Sequence, residues 1–217
     1  MTIERPAPDV KPKRRYDRRS RQEQADAARQ RIIVAAERAF LGRGYASTTI
    51  AGIAAEAGVS LDSVYKGFGG KPGLVRAIYD QALRGRDAVP AELRSEQVQT
   101  READPEAIMR AWGSFVAELT PRAAPLSLLA RDAAVTDPEL RPLLREIEES
   151  RMVRMRANAG RLRSAGHLRP GVSLEHAALV MWTYTAPELY ELMVLRGGMS
   201  LQDYGAFVAQ ALGAALV

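Results

Sequence analysis

Residues 48–75 read TTIAGIAAEAGVSLDSVYKGFGGKPGLV, and this stretch decides the fold. Thr48 has the hydroxyl that suits a helix N-cap, and Ile50, Ile53, Ala54 and Ala57 behind it fall on one helical face. Gly58 stands just past that face, where a left-handed backbone lets the chain turn sharply. Ser60 can cap the next helix, from which Val64 and Phe68, with Val59 before it, point back into a small core. After Gly69 and Gly70, Pro72 fits the first turn of a further helix with Leu74, Val75, Ile78 and Tyr79 inward. Two short helices about a tight turn suit one task above others, which is placing a small helix in the major groove of DNA.

The polar residues divide on that basis. Thr48 and Thr49 open the first helix, where hydroxyls and free backbone N–H groups can hold a phosphate. Ser60, Leu61, Asp62 and Ser63 form the first turn of the recognition helix, Tyr65 and Lys66 follow, and Lys71 starts the next helix. Val64 and Phe68 read as core, while Leu61 fits either core or a thymine methyl contact. Tyr65 beside Lys66 reads as a phosphate contact. Asp62 would repel phosphate, so it reads as charge compensation at a helix start or an acceptor for a cytosine amine. The run GFGGKPG imitates a phosphate loop, but Tyr65 and Pro72 stand where that motif needs glycine and a hydroxyl, so it is not an ATP site.

Upstream, Ile32, Ala35, Ala36, Ala39 and Phe40 make one buried helical stripe that begins near Gln22 and ends at Gly42 and Gly44. Residues 1–21, with three prolines among their arginines and lysines, read as a disordered basic arm. Downstream, Asp104-Pro105, Asp137-Pro138, Ser173 and Ser200 are helix starts, and Ser200 with Asp203 resembles a capping box. The implied helices run near 104–119, 124–134, 138–165, 173–196 and 200–216, with Pro187 kinking or interrupting the fourth. The chain therefore reads as all-α.

Charge supports the division. Residues 1–31 carry a net +5, residues 32–85 a net +2 and residues 86–217 a net −2. All the excess lies at the N-terminal end, as for a phosphate-binding head on a near-neutral body. With no cysteine, disulfides and thiolate metal sites are excluded, and His167 and His176 alone make a metal site improbable. Neither a cofactor fingerprint nor a nucleophile–base pair is present, so the chain does not read as an enzyme. No apolar run approaches the roughly 20 residues that span a bilayer, and no apolar signal core opens the chain, so a cytoplasmic protein without membrane contact is expected.

The segments RIIVAAERAFLGRGY (31–45), TTIAGIAAEAGVS (48–60) and SVYKGFGGKPGLV (63–75) together resemble the DNA-binding domain of the tetracycline-repressor (TetR) family of bacterial regulators. The resemblance covers about residues 22–85. It implies an N-terminal three-helix helix-turn-helix head joined by a fourth helix to a C-terminal helical body at 86–217 that binds ligand and dimerises. Carried over by position, it implies phosphate contacts from Thr49, Tyr65 and Lys71, and base or backbone contacts from Ser60, Leu61, Asp62, Ser63 and Lys66. Gly67 departs from the pattern, since this position is often histidine or another polar or aromatic residue.

In the body, an effector cavity is expected among apolar and aromatic side chains with a few polar anchors. Met109, Trp112, Phe115, Met152, Met155, Asn158, Trp182 and Tyr184 are the candidates, though each also fits plain core. Leu201, Tyr204, Val208, Ala211, Leu212 and Ala215 form a stripe on the last helix, which fits a homodimer interface or the cover of the monomer core. Arg151, Arg154, Arg156, Arg161 and Arg163 follow Glu146, Glu148 and Glu149 by about a turn, which reads as a solvated, salt-bridged helix face. The leading expectation is a ligand-responsive repressor that binds a palindromic double-stranded DNA operator as a homodimer, with an unidentified small-molecule effector. The competing ones are an all-α small-molecule-binding protein with a weakened head and a sequence-neutral DNA-coating protein.

Overall fold

The computed structural model describes residues 14–84, Arg94, Gln97 and residues 104–217; these are helical or in turns, with no strand among them. The expected domain boundary near residue 86 and the first thirteen residues of the basic arm lie outside the described residues.

Helix α1 (Arg14–Arg43) starts well before Gln22, where the apolar pattern begins. The last helix-breaking residue of the arm is Pro12, and nothing after it opposes helix, so the expected arm at 1–21 overlaps helix from Arg14 onward. Its inward face carries Ile32, Ala36, Ala39 and Phe40, all buried. Three short helices pack on it: α2 (Ile50–Ala57), α3 (Leu61–Phe68) and α4 (Lys71–Arg84). Gly58 turns α2 into α3 at φ 65°, and the N–H groups of Gly58 and Val59 donate to the carbonyls of Ala55 and Ala54. That reverse-turn lock needs a residue without a Cβ penalty at positive φ.

The body begins with α5 (Pro105–Ala133), capped by Asp104, whose carboxylate accepts the Ala107 N–H at 2.9 Å. The sequence predicts two helices here, and one is found. Pro121 and Pro125 remove two ladder hydrogen bonds, but Val116, Ala123, Ala124, Leu126 and Ala130 on both sides are buried, and this packing holds one axis through the interruption. Asp137 caps a 3-10 turn (Pro138–Leu140) that runs into α6 (Arg141–Ser164). Ser173 caps α7 (Leu174–Tyr184), which ends at Thr185. Pro187 then opens the short α8 (Pro187–Tyr190), continued by a π-helical segment (Glu191–Arg196), so the expected 173–196 helix is broken at its proline. The last helix, α9 (Leu201–Leu216), starts with the expected capping pair, the Asp203 N–H on Ser200 Oγ at 3.1 Å.

Helix α9 packs along α5 closely enough that Gly113 and Gly205 face each other backbone to backbone. A Cβ on Gly205 would stand 2.7 Å from the Gly113 carbonyl oxygen, and one on Gly113 would overlap the Gly205 carbonyl. Two buried clusters result. One fills the head and continues through Ala123, Leu126, Leu140, Leu143 and Ile147 of the body; the other joins α5, α6, α7 and α9. Head and body thus share a continuous apolar core, with α4 between them.

Candidate functional site

The head presents one polar face. Ser60 caps α3 by accepting the Ser63 N–H at 3.2 Å, and the two hydroxyls stand 2.7 Å apart. Helical geometry then turns Val64 into the core and leaves Leu61, Asp62, Ser63, Tyr65 and Lys66 outside. Leu61 and Tyr65 are 46% and 49% exposed, which removes Leu61 from the core and puts an apolar side chain on the outer surface. Lys66 pairs with Asp62 at 2.8 Å one turn earlier, an exposed pair that holds little energy.

Two arginines of α1, which no local signal in the sequence singles out, fix the attitude of these helices. Arg31 Nε donates to the Ala57 carbonyl at 3.1 Å, at the end of α2. Arg29 Nη1 donates to the Gly67 carbonyl at 3.2 Å and its guanidinium lies 4.5 Å from the Phe68 ring centroid, at the end of α3. Each cation sits on otherwise orphaned carbonyls at the negative end of a helix.

Thr48 is corrected. Its side chain is fully buried, with the hydroxyl 2.8 Å from the Gly44 carbonyl oxygen and 3.0 Å from that of Ala39, so it does not face DNA. The N-cap of α2 is its neighbour Thr49, which is exposed and accepts the Gly52 N–H at 3.0 Å. Lys71 is half-buried: Nζ donates to the Tyr45 carbonyl at 2.9 Å and lies 4.7 Å from the Tyr45 ring centroid. Of its three ammonium protons, one is committed to that carbonyl, and the Ala46 carbonyl is a weaker second partner at 3.5 Å.

Behind the head, a cavity of about 310 Å³ is lined by α4, α5 and α6, with Met181 of α7, Pro187 of α8 and Leu212 of α9. Helix α4 serves both sides. Leu74, Val75 and Ile78 are buried in the head core, while Arg76, Tyr79, Asp80 and Leu83 line the cavity. Burial raises the Tyr79 pKa, so the phenol is neutral and can only hydrogen bond. Two contacts tie head to body beside it. Arg76 of α4 makes a bidentate pair with Glu146 of α6, which holds that carboxyl below its ordinary pKa, and Tyr45 donates to Asp137 at 2.7 Å.

Of the body residues singled out from sequence, Trp112, Phe115, Met155 and Asn158 line this cavity. Met109, Met152, Trp182 and Tyr184 do not. The first two and Tyr184 pack in or against the second core cluster, and Trp182 has its ring beside the Arg151 guanidinium. Arg151 and Arg154, read from sequence as a solvated face, line the cavity too, and Glu146 reaches α4 rather than its own helix. On α9, Tyr204, Val208 and Leu212 are fully covered by their own chain and are not available to a partner, while Ala211 and Ala215 are half-buried and Leu201 is exposed. The stripe is the core face of α9, because α5 packs on it through Gly113.

A three-helix head that exposes the first turn of its third helix, set on an all-α body, defines a helix-turn-helix protein. Residues 32–78 match the family model of bacterial regulatory proteins of the tetR family. Over 92 residues the chain is 41% identical to the HTH-type transcriptional regulator TtgR of Pseudomonas putida; the match spans 42% of each protein, less than half the length of that relative. Among solved structures, a SmeT–triclosan complex matches with TM-score 0.67 at 24% identity, covering 88% of this chain and 92% of that one. The TetR-family regulator PfmR from Thermus thermophilus matches with TM-score 0.62 at 20% identity, covering 86% and 98%. At these identities the structures establish a shared fold. Residues 32–78 thus carry the DNA-binding domain described by the tetR family model, and the chain as a whole shares the fold of a TetR-family regulator.

Proposed function

We propose that this protein is a ligand-responsive transcriptional repressor that binds a palindromic DNA operator as a homodimer. The outward face of α3 carries the reading. Ser60, Leu61, Asp62 and Ser63 form its exposed first turn, the part of a recognition helix that meets base edges. Thr49, Tyr65 and Lys71 flank that turn as phosphate anchors. The arginines at 29 and 31 brace the two helices from behind, so the reading surface is rigid before DNA arrives.

Response to a ligand follows from α4. One face of this helix is in the head core and the other lines the cavity, so a ligand that favours one position of α4 also favours one position of the head. A solved relative in fold carries triclosan, which supports a small-molecule occupant. Dimerisation is supported by exposed apolar side chains at Leu179, Leu192 and Leu195 together with Leu201, the exposed member of the α9 stripe, whose residues Tyr204, Val208 and Leu212 are covered.

Fluorescence anisotropy with the DNA upstream of its own gene, against a random duplex of equal length, tests the reading. At moderate salt the specific duplex should bind at least ~10³-fold tighter. Equal affinity for both would overturn it.

A further inference from the structure

The cavity lining carries polar side chains among apolar ones, and the choice of ligand follows from one of them. Arg151 of α6 lines the wall and is half-buried, and this desolvation draws its pKa below the ordinary arginine value. The guanidinium nonetheless keeps its charge, because its intrinsic pKa lies above about 12. Nη2 donates to the Trp182 carbonyl at 3.0 Å and stands 3.5 Å from Thr185 Oγ1, and the guanidinium lies 5.3 Å from the Trp182 ring centroid. These partners sit at the end of α7, whose negative pole offsets part of the charge.

The offset is incomplete. Among the described residues, neither Nε nor Nη1 of Arg151 finds a protein acceptor, and no carboxylate forms an ion pair with it. Glu148 and Glu188 act on it only through space, and Glu188 is already engaged by Arg131 at 3.3 Å. The lining as a whole has Arg76, Arg151 and Arg154 against Asp80 and Glu146, and Glu146 is taken by Arg76. The same lining includes Trp112, Phe115, Val116, Leu119, Met181 and Leu212, which supply apolar surface. A half-buried cation gains most from a partner that both pairs with it and accepts its hydrogen bonds, and an anion inside the cavity would supply one.

We propose that the cavity takes an amphipathic monoanion, a carboxylic acid with a compact apolar body, its carboxylate on Arg151 and its body against Trp112 and Phe115. The volume of about 310 Å³ favours a compact molecule over a long chain. The inference rests on the cavity being a ligand site, as proposed above.

Calorimetry on the full chain without DNA tests it with three matched probes: 2-naphthoate, 2-naphthylmethanol and 2-naphthylmethylammonium. The carboxylate should bind at least ~10-fold tighter than the alcohol, with the amine weakest, because charge-assisted hydrogen bonds exceed neutral ones. Arg151→Gln should bring the carboxylate down to the affinity of the alcohol and leave the alcohol unchanged, and Arg151→Lys should keep part of the preference. If Arg151→Gln does not fold, the ranking on the unaltered protein decides alone. Alcohol or amine equal to the carboxylate overturns the assignment of an anion while leaving the ligand site standing. A preference that survives Arg151→Gln, or no binding by any probe, also overturns it; the operator assay judges the repressor reading separately.

Discussion

In the head, Thr48 is fully enclosed and its hydroxyl sits on two carbonyl oxygens, whereas in the body Arg151 is half-buried with two of its three guanidinium nitrogens unbonded by protein. The head is complete in itself: Arg29, Arg31 and Lys71 each reach a backbone carbonyl, and the small helices have little freedom to move apart. The body keeps a cavity of about 310 Å³ and a cation facing it. A finished surface suits recognition of a fixed shape such as DNA. An unfinished interior suits a molecule that supplies what is missing, and α4 has one face in each region.

The largest expected effect is in the body, at the α5–α9 crossing. Gly113→Val places a side chain on the Gly205 carbonyl and should cost about 3 kcal/mol or more, read as a collapse of the thermal midpoint. A change of under about 1 kcal/mol would mean that α9 moves freely on α5. Next comes Thr48→Val, which removes the buried hydroxyl donor shared by the Gly44 and Ala39 carbonyls and should cost about 1–3 kcal/mol while leaving the salt dependence of DNA binding as it was. An altered salt slope would return Thr48 to the DNA surface.

Lys71→Ala is a finer probe, since Lys71 has both a carbonyl to hold and a proton to spare. If it also meets a phosphate, the slope of log affinity against log salt should fall by about one unit per half-site, alongside a small loss of stability. Lost stability with an unchanged slope would reduce Lys71 to a brace for the Tyr45 turn. The smallest effect is expected at Gly67, which is helical with open space around the Cβ position. Gly67→Ala should raise stability by up to about 1 kcal/mol and leave operator affinity unchanged. Loss of binding there would show DNA backbone approaching closer than a methyl group allows.

The same contrast explains what is legible in the sequence. The starts at Asp104, Ser173 and Ser200, the turn at Gly58 and the break before Pro187 depend on neighbours a few residues away, and each is readable. The exposed turn of α3 follows from helical period alone. Thr48 and Thr49 are chemically equal neighbours, and which one caps is settled by α1 closing over Thr48. The prolines at 121 and 125 argue locally for a break that packing overrides. Charge spacing makes Arg151 and Glu146 look like partners on one solvated face, but α4 and α7 fold over that face and give each a different role. The apolar period of α9 announces a buried side without saying that its own chain covers it. Contacts made across long sequence separations are the part that stays out of reach.

The most direct test of the central claim, that the exposed first turn of α3 reads DNA sequence, is a competition between operator and random duplex with Leu61→Ala and Ser63→Ala. Both side chains are exposed, so folding should be preserved. Each substitution should cost about 1–3 kcal/mol on the operator and nothing on random duplex, shifting preference at one base position per half-site. A loss of equal size on both duplexes, or no loss on either, would contradict the account.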